Sequence, residues 1–257
     1  MDSISHFAGL PIRWFYINLE RAADRKTKVL ADLQRCSISA ERFAAHSSES
    51  RSQFPELSFR ASSKAGEIGC TLSHYDLLRQ HMNNNYHVGI FEDDMKPCVD
   101  FRLRLQQYES RLQEMKEWQH LTWDIAFLSS YFHDEAVHNK PGGDHLTIPH
   151  TSKTIHRVFG GFTTHAYIVH KDSVARLVRL VRELKNHRAI DQTYIDLQRD
   201  LRCYSYVPGL CTQHVTVSSI QGGEPSDMNA AFQRICGPYT FTDHTYQFNP
   251  EFYPWKY

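Results

Sequence analysis

Short apolar runs alternate with longer segments of helical periodicity along this chain, and their order predicts an α/β architecture with a mainly parallel sheet. A first strand is expected over residues 12–19, rich in β-branched and aromatic side chains, followed by a polar helix over 25–33 with Val29, Leu30 and Leu33 on its apolar face. The Ser-rich stretch 47–63 reads as a mobile polar loop, and Gly66 to Cys70 leads into a helix over about 71–82. Strands are expected at 88–91, 123–128, 163–170 and 203–207, and helices at about 101–118, at 174–184 and from Asp191 onward. Val174, Leu177, Val178 and Val181 repeat at helical spacing and mark a core face, with Asp172 or Ser173 suited to cap that helix. Residues 133–155 read as a long irregular loop, Pro208-Gly209 as a turn, and the end of the chain as a polar tail rich in aromatics. No internal repeat or linker divides the chain, which is expected to form a single domain over 1–257, with a core at about 12–220 and a tail at 221–257.

The strand at 88–91 ends in three adjacent carboxylates, Glu92-Asp93-Asp94. Like charges at a strand tip need a counter-ion, and strand tips are where open α/β sheets bind ligands. Hard oxygen ligands suit Mn2+ or Mg2+, which commonly keep substrate phosphates as further ligands. A solvated acidic turn is the plainer alternative.

Composition sets bounds around this feature. The 257 residues suffice for a sizeable core, and Lys plus Arg balance Asp plus Glu at 29 each, which leaves no basic field for nucleic acid or a membrane surface. The 16 histidines make proton-transfer or metal roles worth testing one residue at a time. The six cysteines, at 36, 70, 98, 203, 211 and 236, include no close CxxC pair, so neither a zinc site nor a redox motif is indicated. The amino-terminal residues lack the pattern of a signal peptide and no apolar run approaches membrane-spanning length. A reduced, cytoplasmic chain is the simplest expectation, with a luminal domain lacking its targeting segment as the alternative.

Several segments in order resemble glycosyltransferase family 25, the group that includes lipooligosaccharide and collagen galactosyltransferases. They are Tyr16-Ile17-Asn18-Leu19-Glu20-Arg21 with Asp24-Arg25, Arg42-Phe43-Ala44-Ala45, the block from Gly66 to His74, and Phe91-Glu92-Asp93-Asp94. Weaker similarities follow at Trp123-Asp124-Ile125, Ala166-Tyr167-Ile168-Val169, Ile190-Asp191 and Ser218-Ser219-Ile220. The resemblance implies a GT-A-type Rossmann-like fold and a metal-dependent, inverting hexosyltransferase. It would move galactose or glucose from a UDP-sugar to a hydroxyl on a glycan, protein or other acceptor.

The resemblance also implies roles for particular residues. The triplet is similar to a DxD-type motif, with Asp94 as the direct contact for Mn2+ or Mg2+, and Glu92 and Asp93 reaching the metal through water or holding ribose or sugar. A divalent cation there neutralises charge on the departing nucleoside diphosphate. Asn18, Arg21 and Arg25, at the end of the first strand and the start of its helix, suit phosphate or uridine recognition, although the arginines equally suit a solvated helix face. Gly66 and Gly69 would bring backbone close to the donor, or merely supply positive φ in a loop, while Glu67, Ser73 and His74 give polar contacts unless His74 is structural. Inverting transfer needs a base, for which Asp191 is best placed and Asp196 the alternative; Asp191 also suits a helix cap. His214, after Gln213, is the candidate for an additional metal ligand. Ser219, where the family commonly has an acid, and the segment from Phe162 to His165 depart from the pattern.

Two other classes suit the same triplet. One is a metal-dependent phosphoester enzyme, and the other a non-catalytic glycan- or protein-binding member of the fold.

Overall fold

A computed structural model describes residues 3–119, 122–128, 131–132, 155–158, 161–162, 164–206, 209–214, 239–242 and 245–248. In chain order the elements are β1 (His6–Phe7), β2 (Leu10–Asn18), α1 (Ala23–Arg35), β3 (Ala40–Ala44), α2 (Ala65–Gln80), β4 (His87–Glu92), β5 (Met95–Pro97) and α3 (Phe101–Gln119). There follow β6 (Ile125–Phe127), β7 (Tyr131–Phe132), β8 (Ile155–Arg157), β9 (Gly161–Phe162), β10 (Ala166–Val169), α4 (Val174–Glu183), α5 (Ile190–Leu197), β11 (Cys203–Tyr206), β12 (Cys211–Gln213), β13 (Tyr239–Thr242) and β14 (Thr245–Phe248). The expected loop at 133–155 and turn at Pro208 fall almost wholly outside the described residues. Of the expected tail, only the hairpin β13–β14 is described.

The central sheet has eight strands in the order β1-β2-β4-β10-β6-β11-β8, with β3 also paired to β2. β3, β2 and β4 run parallel, as do β6 and β11, but β10 is antiparallel to both β4 and β6, and β8 is antiparallel to β11. The sheet is therefore mixed rather than mainly parallel. Side-chain periodicity is blind to this, because a strand reads the same in either direction.

Both faces of the sheet are covered, which is why β2 is continuously apolar from Trp14 to Ile17. Trp14 and Tyr16 point to a core shared with Val29 and Leu33 of α1 and Phe101, Leu105, Tyr108 and Leu112 of α3. Phe15 and Ile17 point the other way, to Leu72, Leu77 and Leu78 of α2, the apolar stripe of α4, and Ile190 and Tyr194 of α5. Helix α1 buries Val29 and Leu33 only; Leu30, expected on the same face, is 42% exposed. The two buried residues are four apart and stack on one stripe, whereas Leu30 is rotated off it.

Three further expectations are corrected. The stretch 47–63 is an ordered segment with a 3-10 turn at Ser48–Gln53, pinned by the buried side chains of Phe54, Leu57 and Phe59. Its serines hid those three anchors. Helix α2 starts at Ala65, so Gly66 and Gly69 lie inside a helix and neither has positive φ. Ser173 donates its hydroxyl to Asp124 at 2.6 Å and leaves the first turn of α4 without a side-chain cap. No helix among the described residues is long and apolar enough to cross a membrane.

Candidate functional site

Strands β2 and β4 run parallel with Ile17 opposite Glu92, so Asn18 and the acidic triplet leave the sheet at the same edge. Strand β10 enters from that edge, where the Glu92 amide donates to the His165 carbonyl at 2.9 Å. Thr164, just before β10, donates its hydroxyl to Glu92 Oε1 at 2.8 Å.

The buried Asn18 side chain donates to Asp93 Oδ2 at 2.7 Å and to the Ala22 carbonyl at 3.2 Å. Arg42 of β3, which sequence reasoning did not single out as a site residue, braces Asn18 by donating to Oδ1 at 3.2 Å and to its carbonyl at 3.1 Å. Arg25, in the first turn of α1, places the same atom, Nη2, against Asp93 Oδ1 and, at 2.9 Å, against Asp94 Oδ2. Two carboxylates from successive residues thus converge on one cationic atom. Arg21 is exposed in the turn before α1 and makes no hydrogen bond or ion pair among the described residues.

Charge in this cluster is unevenly balanced. Burial pushes the Asp94 carboxyl up to about 7, the Glu92 charge adds to the rise, and Arg25 only partly opposes it. Asp93 is raised too, first by burial, against the pull of Arg25 and Asn18. Glu92 goes the other way, because the push of burial is outweighed by His74 and Thr164. A partly buried group of three acids, two of them sharing one arginine, favours the approach of a further cation. The oxygen-only donor set of Asp93 and Asp94 fits a hard divalent ion, since both carboxylates already share one cationic partner.

The remaining expected residues divide. His74 is fully buried on α2, with Nδ1 at 2.8 Å from the Tyr167 hydroxyl and Nε2 at 3.3 Å from Glu92 Oε1. Asp191 is the second residue of α5 and Ala189 is the capping position, so Asp191 is not the N-cap. Its Oδ1 accepts the Gln192 amide at 2.7 Å. Burial raises the Asp191 carboxyl, and the nearby charges of Glu92 and Glu67 push in the same direction, which places Asp191 within electrostatic reach of the triplet. Asp196 instead faces Arg188, which contacts both its oxygens at 2.8 Å.

Two expected donor contacts, Glu67 and Ser73, and the expected metal ligand His214 make other hydrogen bonds within the fold. Glu67 accepts the Lys64 amide at 3.0 Å at the start of α2. Ser73 is buried, donates to the Gly69 carbonyl at 2.7 Å and accepts the His46 amide at 2.8 Å. Gly69 serves the same seam: a Cβ there would lie 2.6 Å from the His46 carbonyl oxygen. His214 hydrogen-bonds Asp32 of α1 through Nε2 at 2.7 Å, and it is the His214 backbone amide that donates to the Asp94 carbonyl, also at 2.7 Å. Gln213 lies closer to the expected role, with its amide nitrogen 3.5 Å from each Asp94 carboxylate oxygen.

Sequence comparison now bears on this geometry. Residues 12–194 match the family described as "Glycosyltransferase family 25 (LPS biosynthesis protein)". A human protein named "Inactive glycosyltransferase 25 family member 3" is 33% identical over 129 residues, covering 44% of this chain and 21% of that protein. Procollagen galactosyltransferase 1 of Danio rerio is 23% identical over 228 residues, 76% of this chain and 35% of that protein. Procollagen galactosyltransferase 1-A of Xenopus laevis is 38% identical over 64 residues, 24% of this chain and 10% of that protein. The chain thus spans at most about a third of the length of these relatives.

Proposed function

This chain belongs to glycosyltransferase family 25, and on that premise we propose that it transfers a hexose, galactose or glucose, from a UDP-sugar to an acceptor hydroxyl with inversion at the anomeric carbon. The observation that carries the reading is the convergence of Asp93, Asp94, Asn18 and Arg25 at the shared tip of β2 and β4. The mixed sheet, with its reversed β10 beside β4, supports a GT-A-type arrangement.

Asp93 and Asp94 are the residues to hold Mn2+ or Mg2+, which when bound supplies positive charge against the leaving diphosphate. Arg25, beside the same carboxylates, would hold a phosphate oxygen of the donor by charge-assisted hydrogen bonds. Asn18, braced by Arg42, keeps Asp93 oriented. Asp191 accepts the acceptor's hydroxyl proton on its carboxylate as that oxygen attacks the anomeric carbon, and its raised proton affinity suits a general base better than an ordinary aspartate.

The test is a panel of sugar nucleotides screened for manganese-dependent thermal stabilisation, with product analysis. UDP-galactose or UDP-glucose is expected to raise the melting temperature only with Mn2+, and turnover to release UDP. Release of phosphate or pyrophosphate instead would identify a phosphoester enzyme. A non-catalytic role is the second reading. It is favoured by the similarity to a relative named inactive and by Arg25 already sitting against both Asp93 and Asp94; failure of every sugar nucleotide to bind with Mn2+ would favour it over transfer.

A further inference from the structure

Cys70, His74 and Glu92 form the only group of three metal-capable side chains found among the described residues, with one ligand atom from each lying within 4.8 Å of the others. Their separation along the chain concealed this. Cys70 and His74 are four apart on α2 and so share one face of the helix, which the fold lays against the tip of β4. From this geometry we infer that the three side chains form a binding site for a borderline-soft divalent cation of the Zn2+ type, separate in chemistry from the oxygen-only pair Asp93 and Asp94.

A second observation independently points to a ligand. His74 is completely buried, and its Nε2 has no hydrogen-bond partner: it lies 3.3 Å from Glu92 Oε1 without meeting hydrogen-bond geometry. Its other nitrogen is fixed by the Tyr167 hydroxyl at 2.8 Å, which in turn lies 3.1 Å from the Tyr194 hydroxyl. A fixed partner on the second ring nitrogen is what orients metal-bound histidines, and the Tyr167 hydroxyl supplies one here. In the tautomer with the proton on Nδ1, donated to Tyr167 with Tyr167 donating to Tyr194, the Nε2 lone pair is open to a cation between Cys70 and Glu92; with no cation bound, the other tautomer aims Nε2–H at Glu92 and holds its carboxyl down.

Thiolate, imidazole and carboxylate together select zinc-like ions over Mn2+ or Mg2+. Ligand atoms about 2.0–2.3 Å from a tetrahedral zinc lie roughly 3.5 Å apart, so the group closes around an ion by side-chain movements of about 1 Å. Cys70 and Glu92 are half-buried and give the ion its way in. Burial holds the Cys70 thiol up, and the charges of Glu92, Asp191, Asp94 and Asp93 add to this. The same negative field attracts a dication. On binding, the Cys70 S–H bond breaks, its proton leaves to solvent, and a sulfur–metal bond forms with no change of oxidation state.

Titration of the full chain with Co2+, with no sugar nucleotide present, tests the site apart from any transfer activity. The expected result is a thiolate-to-cobalt charge-transfer band that saturates at one equivalent, is displaced by Zn2+, persists in Asp94→Asn and is absent in Cys70→Ser. Tyr167→Phe should weaken the affinity about tenfold or more through loss of the relay. In the unmutated protein, Zn2+ should slow alkylation of Cys70, located by mass spectrometry, at least tenfold, and Mg2+ should not. No band, a band surviving in Cys70→Ser, or unprotected alkylation would overturn the site. Loss of manganese-dependent donor binding with the cobalt band intact would count against the transferase reading alone.

Discussion

Arg25→Met removes the one cation that Asp93 and Asp94 share while keeping much of the side chain's apolar stem. The Asp93 and Asp94 side chains are only 9% and 17% exposed, so the substitution leaves two largely buried carboxylates without their cation. Breaking a buried pair by removing one partner costs about 3–5 kcal/mol, and the residual exposure places this case near about 3 kcal/mol. The loss depends on pH in a defined sense. Asp94 already titrates at about 7 when folded against an ordinary 3.8, so its ionisation opposes folding; its stability contribution is full below about 3.8 and is lost as pH rises through 7. Without Arg25 the folded-state value rises further. The variant should therefore lose about 3 kcal/mol near pH 8 and less near pH 6, recovering at most about 1.4 kcal/mol per pH unit. Mn2+ at about a hundred times its dissociation constant should restore about 2.7 kcal/mol near pH 8. Urea denaturation at the two pH values, with and without Mn2+, measures all three quantities. A loss below about 0.5 kcal/mol near pH 8, the scale of an ordinary surface change, would refute the reasoning.

Asp94→Ala should abolish metal-dependent transfer and donor hydrolysis with circular dichroism unchanged; full activity would sink the metal assignment. Asp191→Asn should lower turnover by roughly 100-fold or more while calorimetry still detects donor and metal binding, in keeping with a base rather than a binding residue. Gly69→Ala pushes a methyl to 2.6 Å from the His46 carbonyl oxygen, backbone against backbone, and should cost about 1–3 kcal/mol in a urea titration. Asp124 is held down to about 2 when folded, because Arg202 and Ser173 outweigh the upward push of burial. Its contribution of about 2 kcal/mol is present above pH 3.8 and lost as pH falls towards 2, so Asp124→Asn should flatten acid unfolding across that window.

Much of the site's outline is legible in the sequence. An apolar run that ends in Glu92-Asp93-Asp94 specifies a buried strand with acids at its tip, because burial on both faces requires continuous hydrophobicity and three like charges without partners do not sit inside a sheet. The stripes at Val29 and Leu33 and at Val174, Leu177, Val178 and Val181 specify helices by the same arithmetic of side-chain direction. Strand direction is not encoded in that periodicity, so the reversal of β10 was decided by the tertiary structure, as was the identity of the group that meets the acids. Arg21 and Arg25 look alike in sequence, yet the start of α1 between them separates an exposed arginine from one that grips two carboxylates. Which of Gln213 and His214 turns its side chain to Asp94 was likewise decided by tertiary structure: adjacent residues of an extended segment point in opposite directions, and only the register of β12 on β5 sets which one faces Asp94. Cys70, His74 and Glu92 carry no motif at all. They become a cluster because α2 lies against the end of β4, a long-range contact that no spacing along the chain can express.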